Sequence, residues 1–217
     1  MVEQLKLKTQ FYYENLDGKM NYFLLSWKHV SEVASAYYNV EEKSTVDLIL
    51  SLEGRDSMPY KFDLKKIKET EQSLTINDDI NGLKEMWLDY QPNNLLWPLM
   101  SEKLKKVIER HQSGNEGTDW IKCKISGNKE EKTYYILRFN NALDVLDFAK
   151  TIFVKETNHI IKPVFSLPKI APYCIFTKPY THHLGKITSA LYVSEKLKKA
   201  ITQEGISGIA FEKISVS

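Results

Sequence analysis

The sequence predicts an α+β fold of mostly antiparallel sheet, with two similar helix–turn–strand units whose helices fall near 101–111 and 194–204. Three observations carry this. Trp120-Ile121-Lys122-Cys123-Lys124-Ile125 alternates apolar and charged residues, the two-residue period of a half-buried strand. Ser101-Glu102-Lys103-Leu104-Lys105-Lys106 recurs residue for residue as Ser194-Glu195-Lys196-Leu197-Lys198-Lys199, each copy with a serine placed to cap a helix. The composition of the 217 residues, 42% hydrophobic and 12% aromatic with 9 Gly and 7 Pro, belongs to a chain with a folded core rather than to a disordered or collagen-like one.

Taken in order, Gln10-Phe11-Tyr12-Tyr13 and Tyr22 to Trp27 read as a hairpin around an Asp17-Gly18 turn. Thr45 to Leu52 reads as a strand stopped by Gly54, and Pro59 to Gln72 as a strand passing into a short helix. Residues 73–96 carry turn chemistry in Asn77-Asp78-Asp79, Gly82 and Pro92-Asn93-Asn94. A boundary is expected there, dividing a β-rich subdomain 1–95 from an α+β subdomain 96–217. A helix from Met100 to His111 buries Leu104, Val107 and Ile108, and strands follow at 120–125 and 132–139. Three further strands, 151–154, 160–165 and 173–177, are kept short by Pro163, Pro168, Pro172 and Pro179. A helix over about 194–204 and a strand over about 208–216 close the chain.

The repeated segment extends into its context. Leu99-Met100 precedes one copy and Tyr192-Val193 the other; a glycine-bearing turn and an alternating strand follow both. The lysines lie on the outer face as solubilising charge, broken up by Glu102, Glu109, Glu195 and Glu204, and no RNA-binding aromatic signature accompanies them.

The net charge of +2 argues against a protein that coats nucleic acid or acidic membrane. The charge is uneven, −5 over residues 1–100 and +7 over 101–217. MVEQLKLKTQ lacks the apolar core of a secretory signal, and no run approaches the roughly 18 apolar residues of a membrane span. Cys123 and Cys174 stand far apart in strand-like contexts, as reduced buried thiols do. A cytoplasmic protein is expected.

No set of residues converges on a reaction. His29, His111, His159, His182 and His183 show no metal-ligand spacing, and no phosphate-binding glycine loop or serine nucleophile elbow is present. Asp144 and Asp147 follow Asn140-Asn141 and read as turn acceptors. Neither a cofactor nor a metal is expected.

Four segments of the second half are similar to the immunity proteins of bacterial polymorphic toxin systems, the broad group with a myxobacterial prototype. They are Trp97 to Leu104 followed by Asp119-Trp120-Ile121; Tyr134-Tyr135-Ile136-Leu137 leading into Leu143 to Asp147; Pro168-Lys169-Ile170-Ala171 before Cys174-Ile175-Phe176; and Tyr192 to Lys198 with Gly205 to Phe211. The resemblance covers roughly residues 95–217. It implies a non-enzymatic cytoplasmic protein that neutralises a cognate toxin domain by direct stoichiometric binding, with neither nucleic acid nor membrane as partner. No catalytic residues come with the family. Nuclease immunity proteins are often strongly acidic, which this chain is not, so either its acidic first half makes the contact or the toxin is not a nuclease. The alternatives are a small hydrolase or transferase using Cys174 or a histidine, and a regulatory binding module without a toxin.

Residues 41–89, with 12 acidic against 7 basic side chains, are the expected contact region. Within them Asp78, Asp79, Trp87 and Tyr90 are the candidate partner-binding residues: aromatics anchor an interface and charges steer encounter. Trp87 and Tyr90, three apart, suit facing the core better than the surface, and the acidic loop is the preferred contact.

Overall fold

The computed structural model describes residues 20–38, 43–70, 72–180 and 183–217. The first arm of the expected hairpin and its Asp17-Gly18 turn lie outside the described residues. The first half holds β1 (Tyr22–Trp27), β2 (Glu32–Tyr37), α1 (Thr45–Ser51), β3 (Ser57–Glu69), β4 (Leu74–Asn77), β5 (Tyr90–Gln91) and β6 (Leu99–Met100). After these come α2 (Glu102–Glu109), β7 (Thr118–Gly127) and β8 (Glu130–Phe139). The last third holds the short β9 (Ile152–Phe153) and β10 (Ile160–Lys162), a one-turn α3 (Leu167–Ile170) and β11 (Ile175–Phe176). The chain ends with a 3-10 turn (His183–Lys186), β12 (Leu191–Ser194), α4 (Glu195–Gln203) and β13 (Ile209–Ile214).

Two larger sheets form among the described residues. One runs β2-β3-β7-β8-β6-β5, with β4 paired to β3; the other runs β11-β12-β1-β13. β3 and β7 pair parallel, and the other strand pairings are antiparallel. The fold is therefore α+β. In the larger sheet β8 lies between β6 and β7, and α2 connects those two strands. In the smaller sheet β1 lies between β12 and β13, and α4 connects those. Each sheet takes strands from both sides of residue 95.

Strand alternation sends side chains of the larger sheet into two cores. Tyr134 and Ile136 of β8 pack with Ile121, Cys123 and Ile125 of β7 under α1. Leu137 and Phe139 face the other way, into a core shared with β1, α2 and α4. The two longer helices are amphipathic as expected. Ser101 and Ser194 each accept the N–H three residues on, from Leu104 at 3.2 Å and Leu197 at 3.3 Å.

Two expectations need correction. Residues 45–52 form a helix, not a strand. Ser44 accepts the Asp47 N–H at 3.2 Å and donates to its carboxylate at 2.7 Å, and Leu48, Ile49 and Leu52 bury one face. The β-branched composition there favours a strand, but the Ser-x-x-Asp cap and the apolar spacing prevail. Residues 59–72 do not pass into a helix, because β3 runs extended to Glu69. Pro59 sits where the pairing with β7 shifts register between Ser57 and Lys61, as expected of a residue with no N–H to donate.

Candidate functional site

The expected contact residues lie on the excursion from β4 to β5. Asp78, with 87% of its side chain exposed, pairs with Lys65 of β3 at 3.0 Å. Asp79 is exposed, and its carboxylate accepts the Asn81 N–H at 2.9 Å, a local turn closed by Gly82 at φ +81°. Lys66 donates to the Asn81 carbonyl at 3.3 Å, fastening the loop to the sheet. The loop then borders a cleft of about 440 Å³, lined by Val30 and Val33 on one side and by Leu83, Lys84 and Leu88 on the other.

Trp87 is half-buried. Its ring stacks on Tyr134 with centroids 6.4 Å apart, and the Lys132 ammonium lies 4.7 Å from its centre. Tyr90 is different. It is fully buried beside Trp27, with ring centroids 5.9 Å apart, and burial drives its phenol pKa upward. Tyr90 is therefore a core residue and presents no surface to a partner; its place on β5, opposite Met100, holds it in the core. The structure thus leaves the two aspartates and Trp87 along one exposed excursion and takes Tyr90 away from it.

Asp89, not among the expected site residues, anchors the far end of that excursion. Its carboxylate accepts the Ser101 hydroxyl at 2.6 Å, the Ser207 N–H at 2.9 Å and the Ser207 hydroxyl at 3.1 Å. The loop end is thereby tied both to the start of α2 and to the turn before β13. Only the polar character of Asp89 was visible in sequence, since its partner Ser207 lies 118 residues away.

Among the described residues, those considered for catalysis do not assemble a reactive group. Cys174 is buried, and burial together with the neighbouring Glu116 carboxylate raises its thiol pKa, so it is held neutral. Cys123 is buried in the other core, its thiol pushed up to about 12 by desolvation. A low-pKa, accessible thiolate is what nucleophilic chemistry requires, and neither cysteine offers one. His29 faces Glu69 at 3.8 Å, and a ring nitrogen of His111 meets the Val107 carbonyl at 2.8 Å. His159 is exposed, while His182 and the His183 side chain lie outside what is described. Asp144 pairs with Lys169 at 2.8 Å, and Asp147 accepts the Ala149 N–H at 3.1 Å: both serve local structure. Among the described residues no three His, Cys, Asp or Glu side chains group as a metal site would. No helix among them is long and apolar enough to cross a membrane.

A comparison with curated proteins finds no match. The family described as immunity protein family Imm11 matches residues 60–216, from within β3 to beyond β13, and so reaches further upstream than the resemblance over 95–217. That match spans most of the chain, including the Asp78–Asp79 loop, the Asp89 tether and both capped helices, and the chain belongs to the Imm11 immunity protein family.

Proposed function

We propose that this chain neutralises a toxin protein of a bacterial polymorphic toxin system by stoichiometric binding in the cytoplasm, without catalysis of its own. Membership of the immunity family carries the reading. The neutral, buried state of Cys174 speaks against the hydrolase alternative. The loop at Asp78 and Asp79 is the proposed place of contact, with half-buried Trp87 as its apolar anchor. Its exposed carboxylates suit it to steering a basic partner surface, which raises association rate more than affinity. Such a partner need not be a nuclease.

The test uses the toxin domain encoded beside the gene for this chain, in an inactivated form, and surface plasmon resonance at two salt concentrations. Asp78→Lys combined with Asp79→Lys is expected to slow association on the order of tenfold at low salt. The fold should change by under about 0.5 kcal/mol, because exposed ion pairs and turn surfaces contribute little. Association unchanged at both salt concentrations would remove the loop from the interface and direct attention to the basic second half. Failure of the unaltered chain to bind would end the reading.

The same proposal includes a finer view of the fold, in which α2 with β7 and α4 with β13 are one helix–turn–strand unit used twice. The shared Ser-Glu-Lys-Leu-Lys-Lys segment and the like placement of β8 and β1 support it.

A further inference from the structure

β4 carries the larger sheet past the tip of the β7–β8 hairpin, and among the described residues it pairs with β3 alone. Its backbone polarity follows from its neighbours. Glu69 donates its N–H away from β4, to Ser31 at 2.8 Å, whereas Thr70 donates to Ser73 at 2.9 Å. Antiparallel pairs alternate between exchanging both hydrogen bonds and exchanging none. Lys68–Thr75 and Lys66–Asn77 are therefore the bonded pairs, and Leu74 and Ile76 turn their N–H and C=O groups outward.

The strand is short, but its residues do not block the edge. All four are exposed, Leu74 at 59% and Ile76 at 45%, and none is charged or a proline, the residue types that protect natural edges. Ile76 stands directly opposite Ile67, and Ile67 opposite Val33, so an apolar row crosses three strands and stops at the open side. Asp78 and Asp79 follow immediately, and Asp79 makes no ion pair with a described residue.

We propose that the toxin contributes an extended segment that adds as a strand to β4. The occupant has apolar residues at alternate positions, continuing the Val33–Ile67–Ile76 row, and a lysine or arginine at the end beside Asp78 and Asp79. Main-chain hydrogen bonds supply the affinity of such strand addition, and side-chain alternation its selectivity. This rests on the reading that the Asp78–Asp79 loop meets a toxin, and adds the backbone mode of contact.

The probe is the same inactivated toxin domain from the neighbouring gene, added to the full chain. Amide hydrogen exchange at Leu74 and Ile76 should slow at least tenfold in the complex. Ile76→Pro, which deletes an outward N–H while leaving the β3 pairs intact, should weaken binding at least tenfold. Ile76→Thr, which keeps the N–H, should weaken it less than threefold. If the toxin binds while both amides exchange as in the free chain, strand addition is wrong and toxin binding stands. Amides already protected in the free chain would show the edge covered by the chain's own residues, and overturn the proposal. A toxin domain that does not bind the unaltered chain at all removes both readings. The exchange measurement uses the unaltered protein, so the outcome does not depend on Ile76→Pro folding.

Discussion

Glu116, only 1% exposed, joins the turn after α2 to the loop before β11. Burial disfavours its charge, but the Ser113 and Cys174 N–H groups, its own N–H and the Ser113 hydroxyl outweigh that and hold its pKa below the ordinary glutamate value. The carboxylate therefore contributes stability that is present above the unfolded-state pKa of about 4.3 and is lost as pH falls through the lower native value. Glu116→Gln is expected to cost about 1–3 kcal/mol at pH 7, since it weakens hydrogen bonds to a buried charge. Urea denaturation at pH 7 and at pH 3 checks this, and the penalty should shrink at the lower pH. Gly208 is a second single-residue constraint. Its φ is +81°, and a Cβ there would stand 2.5 Å from the Tyr90 carbonyl oxygen. Gly208→Ala should destabilise by about 2 kcal/mol or more, from the left-handed backbone and the forced shift of β5, read as a lower urea midpoint. Neither role was legible beforehand. Glu116 reads as one more acidic loop residue, because its partner Cys174 is 58 positions away.

At the scale of elements, what the sequence makes legible depends on how local the signal is. The two serine-capped helices carry their cap, apolar face and outer lysines within about ten residues, and they form as read. α1 was equally local, but its Ser44-Thr45-Val46-Asp47 cap competes with a β-branched composition, and the cap decides. The two caps should not be equivalent. Ser194→Ala is expected to cost about 1 kcal/mol, the usual value for a lost N-cap. Ser101→Ala should cost about 2 kcal/mol, because the Ser101 hydroxyl also donates to Asp89 at 2.6 Å. Urea midpoints of the two variants, measured side by side, check the order. Equal losses would mean that the Ser101–Asp89 side-chain hydrogen bond contributes nothing to stability.

At the scale of the molecule, the strand order makes the two halves of the chain interdependent. β1 lies between β12 and β13, and β3 pairs along β7. A chain cut after residue 95 leaves β12 and β13 without the strand that joins them, and β3 without its parallel neighbour. Fragments 1–95 and 96–217 are each expected to lack cooperative thermal unfolding when purified alone, and to regain it on mixing. Circular dichroism melts of each fragment and of the mixture test this, and independent cooperative melting of either fragment would contradict it. The Asp78–Asp79 loop leaves from β4 at an edge of the described sheet, and Lys66 holds it to that sheet.

By itself the sequence determined the α+β class, both serine-capped helices, the β7–β8 pair and the resemblance to immunity proteins. These follow from periods and caps spanning a few residues, where local hydrogen bonding and one buried face suffice. Tertiary structure alone decided that Tyr90 is core and Trp87 half-exposed, that Asp89 and Glu116 are tethers, and that among the described residues β4 pairs on one side only. Each of these depends on which distant segment packs alongside, and burial, unlike periodicity, is a property of the neighbours rather than of the residue.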